Sequence, residues 1–148
     1  MNKFETLIDE LGKILNIPLE AEHGFLCKLN IKDKIRLQIE YDEPTEKIIL
    51  VCFVSEVPPG KFREQTLVAA LKANHQDTSL GSFAYVENSQ TLILQHYLPI
   101  SVSAALLGTL LQQFTDKAIG WKEAIEQGNV SLLVPSPPSS LPSPLSFT

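Results

Sequence analysis

The sequence is poor in the residues on which small-molecule chemistry depends. Its 148 residues hold two cysteines and three histidines. His23, His75 and His96 lie far apart, none in ligand spacing, and two thiols without a third ligand make a poor zinc site. No metal or cofactor is expected. A G-x-S-x-G elbow, a Walker loop and a Rossmann fingerprint are all missing, so nothing in the chain points to an enzyme. The acidic pairs Asp9-Glu10, Asp42-Glu43 and Glu123 with Glu126 fall on amphipathic helices and turns, where carboxylates are a solvated face rather than a dyad. Cations are outnumbered: 12 Lys and Arg against 17 Asp and Glu give a net charge of −5. With no basic stripe, a nucleic-acid partner is not expected. No apolar run is long enough to span a bilayer, and Met1 to Glu5 opens no signal-peptide core. Cys27 and Cys52 sit inside apolar strand patterns and read as small buried hydrophobes of a reducing compartment. A soluble cytoplasmic protein is the expectation.

Hydrophobic residues make up 44% of the chain, enough for one domain with a moderate core. Phe4, Leu7, Ile8, Leu11 and Leu15 recur at helical spacing, and Asn16 and Pro18 stop that helix. Phe25, Cys27, Leu29 and Ile31 form an alternating strand. Ile35, Leu37, Ile39 and Tyr41 form a second, separated by Lys34, Arg36, Gln38 and Glu40. The third, Lys47 to Val54, does not alternate. Ile48, Leu50, Cys52 and Val54 lie on one face and Ile49, Val51 and Phe53 on the other. A strand apolar on both sides must be covered on both sides, by the chain's own helices, by a copy of itself or by another protein.

Pro58-Pro59-Gly60 breaks the chain before a helix from Lys61 to about Asn74. Phe62, Thr66, Ala69, Ala70 and Ala73 make one face of it. Leu67, Val68 and Leu71 make a second apolar face roughly opposite. Such a helix is buried twice, which suggests a subunit contact. Two strands follow, from about Leu80 to Val86 and Thr91 to Leu98, joined through Glu87–Gln90. Ser101 or Ser103 caps a final helix whose stripe is Leu107, Leu110, Leu111, Phe114, Ala118, Trp121 and Ile125, with Gly128 as its stop. The order α-β-β-β-α-β-β-α predicts an α+β domain: an antiparallel sheet of about five strands with three helices, over residues 1–129. Residues 130–148 alternate proline with serine and are expected to be a disordered tail. Its Pro135-Ser136-Pro137-Pro138 has the P-x-x-P form.

This succession resembles the class I effector chaperones of type III secretion, the Tir-chaperone (CesT-like) family. The resemblance rests on the opening helix Phe4–Gly12, on Leu67–Asn74 ending in the family's typical Asn, and on Leu80–Tyr85 followed by Thr91–Pro99. It rests also on the last helix with Phe114 and Trp121. It covers about residues 1–127, and Ser82 departs from the small or glycine residue often found there. The resemblance implies a homodimer in the bacterial cytoplasm that binds the N-terminal segment of a secreted effector in extended form, without ATP hydrolysis. A secretion ATPase is a further expected partner; nucleic acid and membrane are not. The dimer contact is expected at Phe62, Leu67, Val68, Leu71, Leu80 and Phe83. The effector contacts are expected at Phe4, Ile8, Ile17, Ile48, Leu50 and Cys52. Alternatives are a subunit pairing with a related chain, a structural or regulatory component of a secretion apparatus, and a small enzyme with a pocket between sheet and helices.

Overall fold

The computed structural model describes residues 1–130. The element order is the expected one, with a short 3-10 turn added: α1 (Lys3–Leu15), β1 (Leu26–Ile31), β2 (Ile35–Asp42), β3 (Lys47–Glu56), α2 (Lys61–Gln76), β4 (Ser82–Val86), β5 (Thr91–Pro99) and α3 (Ala104–Glu126). The five strands form one sheet in the order β1-β2-β3-β5-β4, every pair antiparallel. The fold is therefore α+β.

Local chemistry explains the element ends. Asn2 accepts a hydrogen bond from the Glu5 amide while the Glu5 carboxylate accepts one from the Asn2 amide, a reciprocal cap on α1. Asn16 adopts the left-handed conformation at the other end. There the Ile17 amide reaches back to the Gly12 carbonyl and the Asn16 amide to Lys13, a Schellman closure. Of the two serines able to cap α3, Ser103 does so, accepting from the Leu106 amide. The first strand starts one residue later than the alternation suggests, so Phe25 lies in the preceding loop and is half exposed.

Register places the two faces of the sheet. Cys27, Ile39, Leu50 and His96 line up across β1, β2, β3 and β5, as do Leu29, Leu37, Cys52 and Leu94. Helices α1 and α3 cover this face with Phe4, Leu7, Ile8 and Leu11, and with Leu107, Leu111, Phe114, Ala118 and Trp121. Phe4 stacks on Tyr41 at 5.6 Å, and Trp121 meets Phe83 at 4.2 Å. Val130 is also buried in this core. The remaining Pro/Ser-rich segment lies outside the described residues.

Among the described residues the opposite face has no such cover, and the helix in extended contact with β3 is α3, on the core side. Helix α2 instead lies against β4, at the edge of the sheet.

Candidate functional site

Two surfaces of the protomer are left open by this arrangement. The first joins the uncovered sheet face to the outer side of α2. Ile49, Val51 and Phe53 on β3 are half-buried there, and Tyr97 on β5 and Val86 on β4 are exposed. Ile93 is buried between its cross-strand neighbours Phe53 and Ala84. The doubly apolar pattern of β3 thus resolves into one helix-covered face and one wet face.

Helix α2 divides in the same way. Its small-residue side turns inward, with Thr66, Ala69 and Ala70 buried and the Thr66 hydroxyl donating to the Phe62 carbonyl at 2.8 Å. Its other side faces solvent: Val68 is 51% exposed and Leu71 68%. Between helix and strand lies an apolar cleft of about 160 Å³ lined by Leu67, Ala70, Leu71, Phe83, Tyr85 and Leu92, among others.

Asn74 fixes α2 to the sheet. Its Nδ2 donates to the Phe83 carbonyl at 3.0 Å, and its Oδ1 accepts from the Phe83 amide at 2.7 Å. The side-chain amide thereby supplies the pair of bonds that a sixth strand would make, and closes the outer edge of β4. The Tyr85 hydroxyl adds a bond to the Val57 carbonyl at 2.8 Å. Nearby, Lys117 donates to the Gly81 carbonyl at 3.4 Å and lies 5.3 Å from the Phe83 ring centroid. Burial lowers its pKa, partly countered by Asp77. The asparagine was legible in the sequence; its partner on β4 was not.

The second open surface is the edge of β1. Leu26 exchanges both backbone bonds with Glu22 outside the sheet. Backbone alternation then turns the amide and carbonyl groups of Lys28 and Asn30 outward, and among the described residues nothing pairs with them. Beyond the Schellman turn, a shallow groove of about 380 Å³ runs past Asp9, Gly12, Lys13, Asn16, Ile17, Pro18 and Leu19. Gly12 permits the close return of the chain there, since a Cβ would lie 3.0 Å from the Ile17 carbonyl oxygen.

These surfaces draw on some of the residues expected to act and not on others. Val68 and Leu71 are open, Phe62, Leu67 and Leu80 are half-buried, and Phe83 is a core residue under Trp121. Ile17 is 42% exposed on the groove. Phe4, Ile8, Ile48, Leu50 and Cys52, by contrast, are sealed inside the protomer. They sit on the face that α1 and α3 cover, so they shape the layer beneath the surface and have no area to offer a client. The strand pattern was read on the right residues; which of its two faces the helices would take was not in the pattern.

The described residues include two free thiols, both buried. Burial pushes the Cys27 thiol up to about 11 and Cys52 to about 12, the reverse of an activated nucleophile. No group of His, Cys, Asp or Glu able to hold a metal ion occurs among them, and no described helix is long and apolar enough to cross a membrane.

A search of curated proteins finds no match. Among solved structures, a chain of the HopA1-SchA chaperone-effector complex aligns over 82% of this chain and 94% of its own, at 20% identity and TM-score 0.66. A chain of the Yersinia pestis type III secretion chaperone SycH in complex with a stable fragment of YscM2 aligns over 80% and 98%, at 14% identity and TM-score 0.61. A chain of the heterodimeric ExoU-SpcU complex from the Pseudomonas aeruginosa type III secretion system aligns over 84% and 96%, at 16% identity and TM-score 0.58. These likenesses show a shared fold. The family model of the Tir chaperone protein (CesT) family matches residues 6–122, most of the described chain, and the protein belongs to that family.

Proposed function

We propose that this type III secretion effector chaperone works as a dimer in the bacterial cytoplasm and holds the N-terminal segment of a secreted effector extended on its surface. One observation supports the reading above others: the apolar area that a single protomer leaves open. Val68 and Leu71 on α2, and Ile49, Val51, Phe53 and Tyr97 on the sheet, lie beside a fully packed core rather than replacing it. Apolar area of this kind is stabilised by burial at about 25 cal/mol per Å², and a protein surface is the partner that fits its size.

The dimer contact is assigned to the α2 row Leu67, Val68 and Leu71, flanked by Phe62 and Leu80, with Phe83 supporting it from beneath. An identical subunit is the first choice and a related chain the alternative. The client is assigned to the β1 edge and the groove at Ile17, where an added strand finds free backbone groups at Lys28 and Asn30. A client ordered on binding loses entropy, which extended contact over a large area offsets. The chemistry is binding and release, with no turnover. Residues 1–129 are assigned to the binding domain.

Light scattering of the purified protein tests the assembly. Wild type should be a dimer, and Leu71→Glu combined with Val68→Glu a folded monomer, because both side chains are exposed in the protomer. A dimer that survives the double substitution refutes the interface. Co-expression with a secreted effector should give a stable complex that deletion of the effector's N-terminal segment abolishes; a complex indifferent to that deletion refutes the client assignment.

A further inference from the structure

We propose that the β1–β2 hairpin selects its client by charge, docking an extended peptide segment that carries acidic side chains. The inference rests on the client reading of the β1 edge and names the chemistry which that edge prefers. Four of the chain's twelve Lys and Arg residues, Lys28, Lys32, Lys34 and Arg36, lie within nine positions, against one acid, Asp33. Residues 28–36, the tip and facing halves of the hairpin, thus carry +3, while the remaining residues carry −8. All four cations are exposed.

An ordinary solvated charge run is expected to be interleaved with its counter-charges. Here none of the four cations forms an ion pair among the described residues, whose three ion pairs lie elsewhere. Their placement is also organised. Asn30 stands opposite Arg36 and Lys28 opposite Gln38, so Lys28 and Arg36 are diagonal neighbours on the wet face of the sheet. The Arg36 guanidinium rests 4.5 Å from the centroid of the Phe53 ring, which directs it over the apolar face rather than into bulk water. Lys32 and Asp33 both occupy left-handed backbone at φ 53° and 54°, in a turn closed by the Lys34 amide on the Ile31 carbonyl. Such turns favour Asn-Gly, so local conformation gives no reason for lysine at the tip.

The same strand that presents Lys28 also presents the unpaired backbone groups of Lys28 and Asn30. An incoming strand bonded to that edge sets every second side chain beside Lys28 and Arg36 and the alternate ones toward the helix layer. Acidic residues at the first set neutralise cations that the protomer leaves unpaired. A nucleic acid fits less well: four cations on one hairpin are a small footprint, and the rest of the surface repels a polyanion.

The test uses the full chain and three short fluorescent peptides, valine alternating with glutamate, with serine or with lysine, followed by anisotropy. The glutamate peptide should bind on the order of tenfold more tightly than the serine peptide at low ionic strength, and high salt should erase the difference. The variant K28Q/K32Q/K34Q/R36Q, checked by circular dichroism for its fold, should bind glutamate and serine peptides alike. Its charge-reversed counterpart, with Glu at the same four positions, should prefer the lysine peptide. Equal affinity of the wild type for glutamate and lysine peptides overturns the charge selection while leaving strand addition intact. A short DNA duplex that displaces the glutamate peptide at lower concentration than unlabelled peptide also overturns it. Failure of all three peptides to bind overturns the client reading of the β1 edge itself.

Discussion

Asn74 offers a sharp test of how α2 is held, because one side chain carries two backbone bonds. Replacing it with alanine removes a donor at 3.0 Å from the Phe83 carbonyl and an acceptor at 2.7 Å from the Phe83 amide. Each bond is worth about 0.5–1.5 kcal/mol net, and more where water cannot replace the lost partner. Phe83 itself is buried, while Asn74 is half-buried, so water reaches the gap only in part. The expected loss is about 2 kcal/mol. At about 2.1 cal/mol/K per residue of unfolding entropy over the packed domain, that lowers Tm by about 7 °C. Urea denaturation followed by tryptophan fluorescence is well suited, since the single tryptophan, Trp121, packs against Phe83 with the rings tilted by 41°. Asn74→Asp separates the two bonds: its carboxylate still accepts from the Phe83 amide but faces the carbonyl without a proton to donate. It should fall at least as far as the alanine variant. A loss under about 0.5 kcal/mol for Asn74→Ala, the level of an ordinary surface change, refutes the view that this amide closes the β4 edge.

Other outcomes follow from burial and backbone geometry. Burial, with Lys117 nearby, lowers the pKa of His96 below 6.5, so the unfolded chain takes up a proton that the folded state resists. Stability is then full above about pH 6.5 and declines as pH falls through that value; in thermal melts, His96→Phe should lose less between about pH 7.5 and 5.5 than wild type does. With thiols raised to about 11 and about 12, Cys27 and Cys52 should react with a disulfide reagent only as fast as the protein opens; rapid labelling of the native state contradicts their placement. Gly81 has φ +98°, and a Cβ there would meet the Gln95 carbonyl oxygen at 2.7 Å. Gly81→Ala should therefore cost more than the ~1 kcal/mol of a typical substitution, read as a reduced urea midpoint.

The elements were legible because their signals are local. Alternation over Ile35–Tyr41 and helical spacing over Phe4–Leu15 need only neighbours in the chain to decide the backbone. Asn16 and Gly128 stop their helices by occupying left-handed backbone, a property of single residues. Ile17, Phe4, Ile8, Ile48, Leu50 and Cys52 were picked out together, yet of these only Ile17 is exposed in the protomer, because an apolar residue in a pattern looks the same whether a helix or a partner will cover it.

The sequence by itself determined the secondary structure, the sheet's antiparallel character and the excess of apolar surface, since each follows from side-chain periodicity and turn chemistry. Tertiary structure alone decided where that excess lies. The β1-β2-β3-β5-β4 order puts α1 and α3 over one face and leaves α2 at the β4 edge, so burial of one strand face depends on elements tens of residues away. The same folding brings Lys28 beside Arg36 and Asn74 onto Phe83, contacts set by pairing register rather than by spacing along the chain.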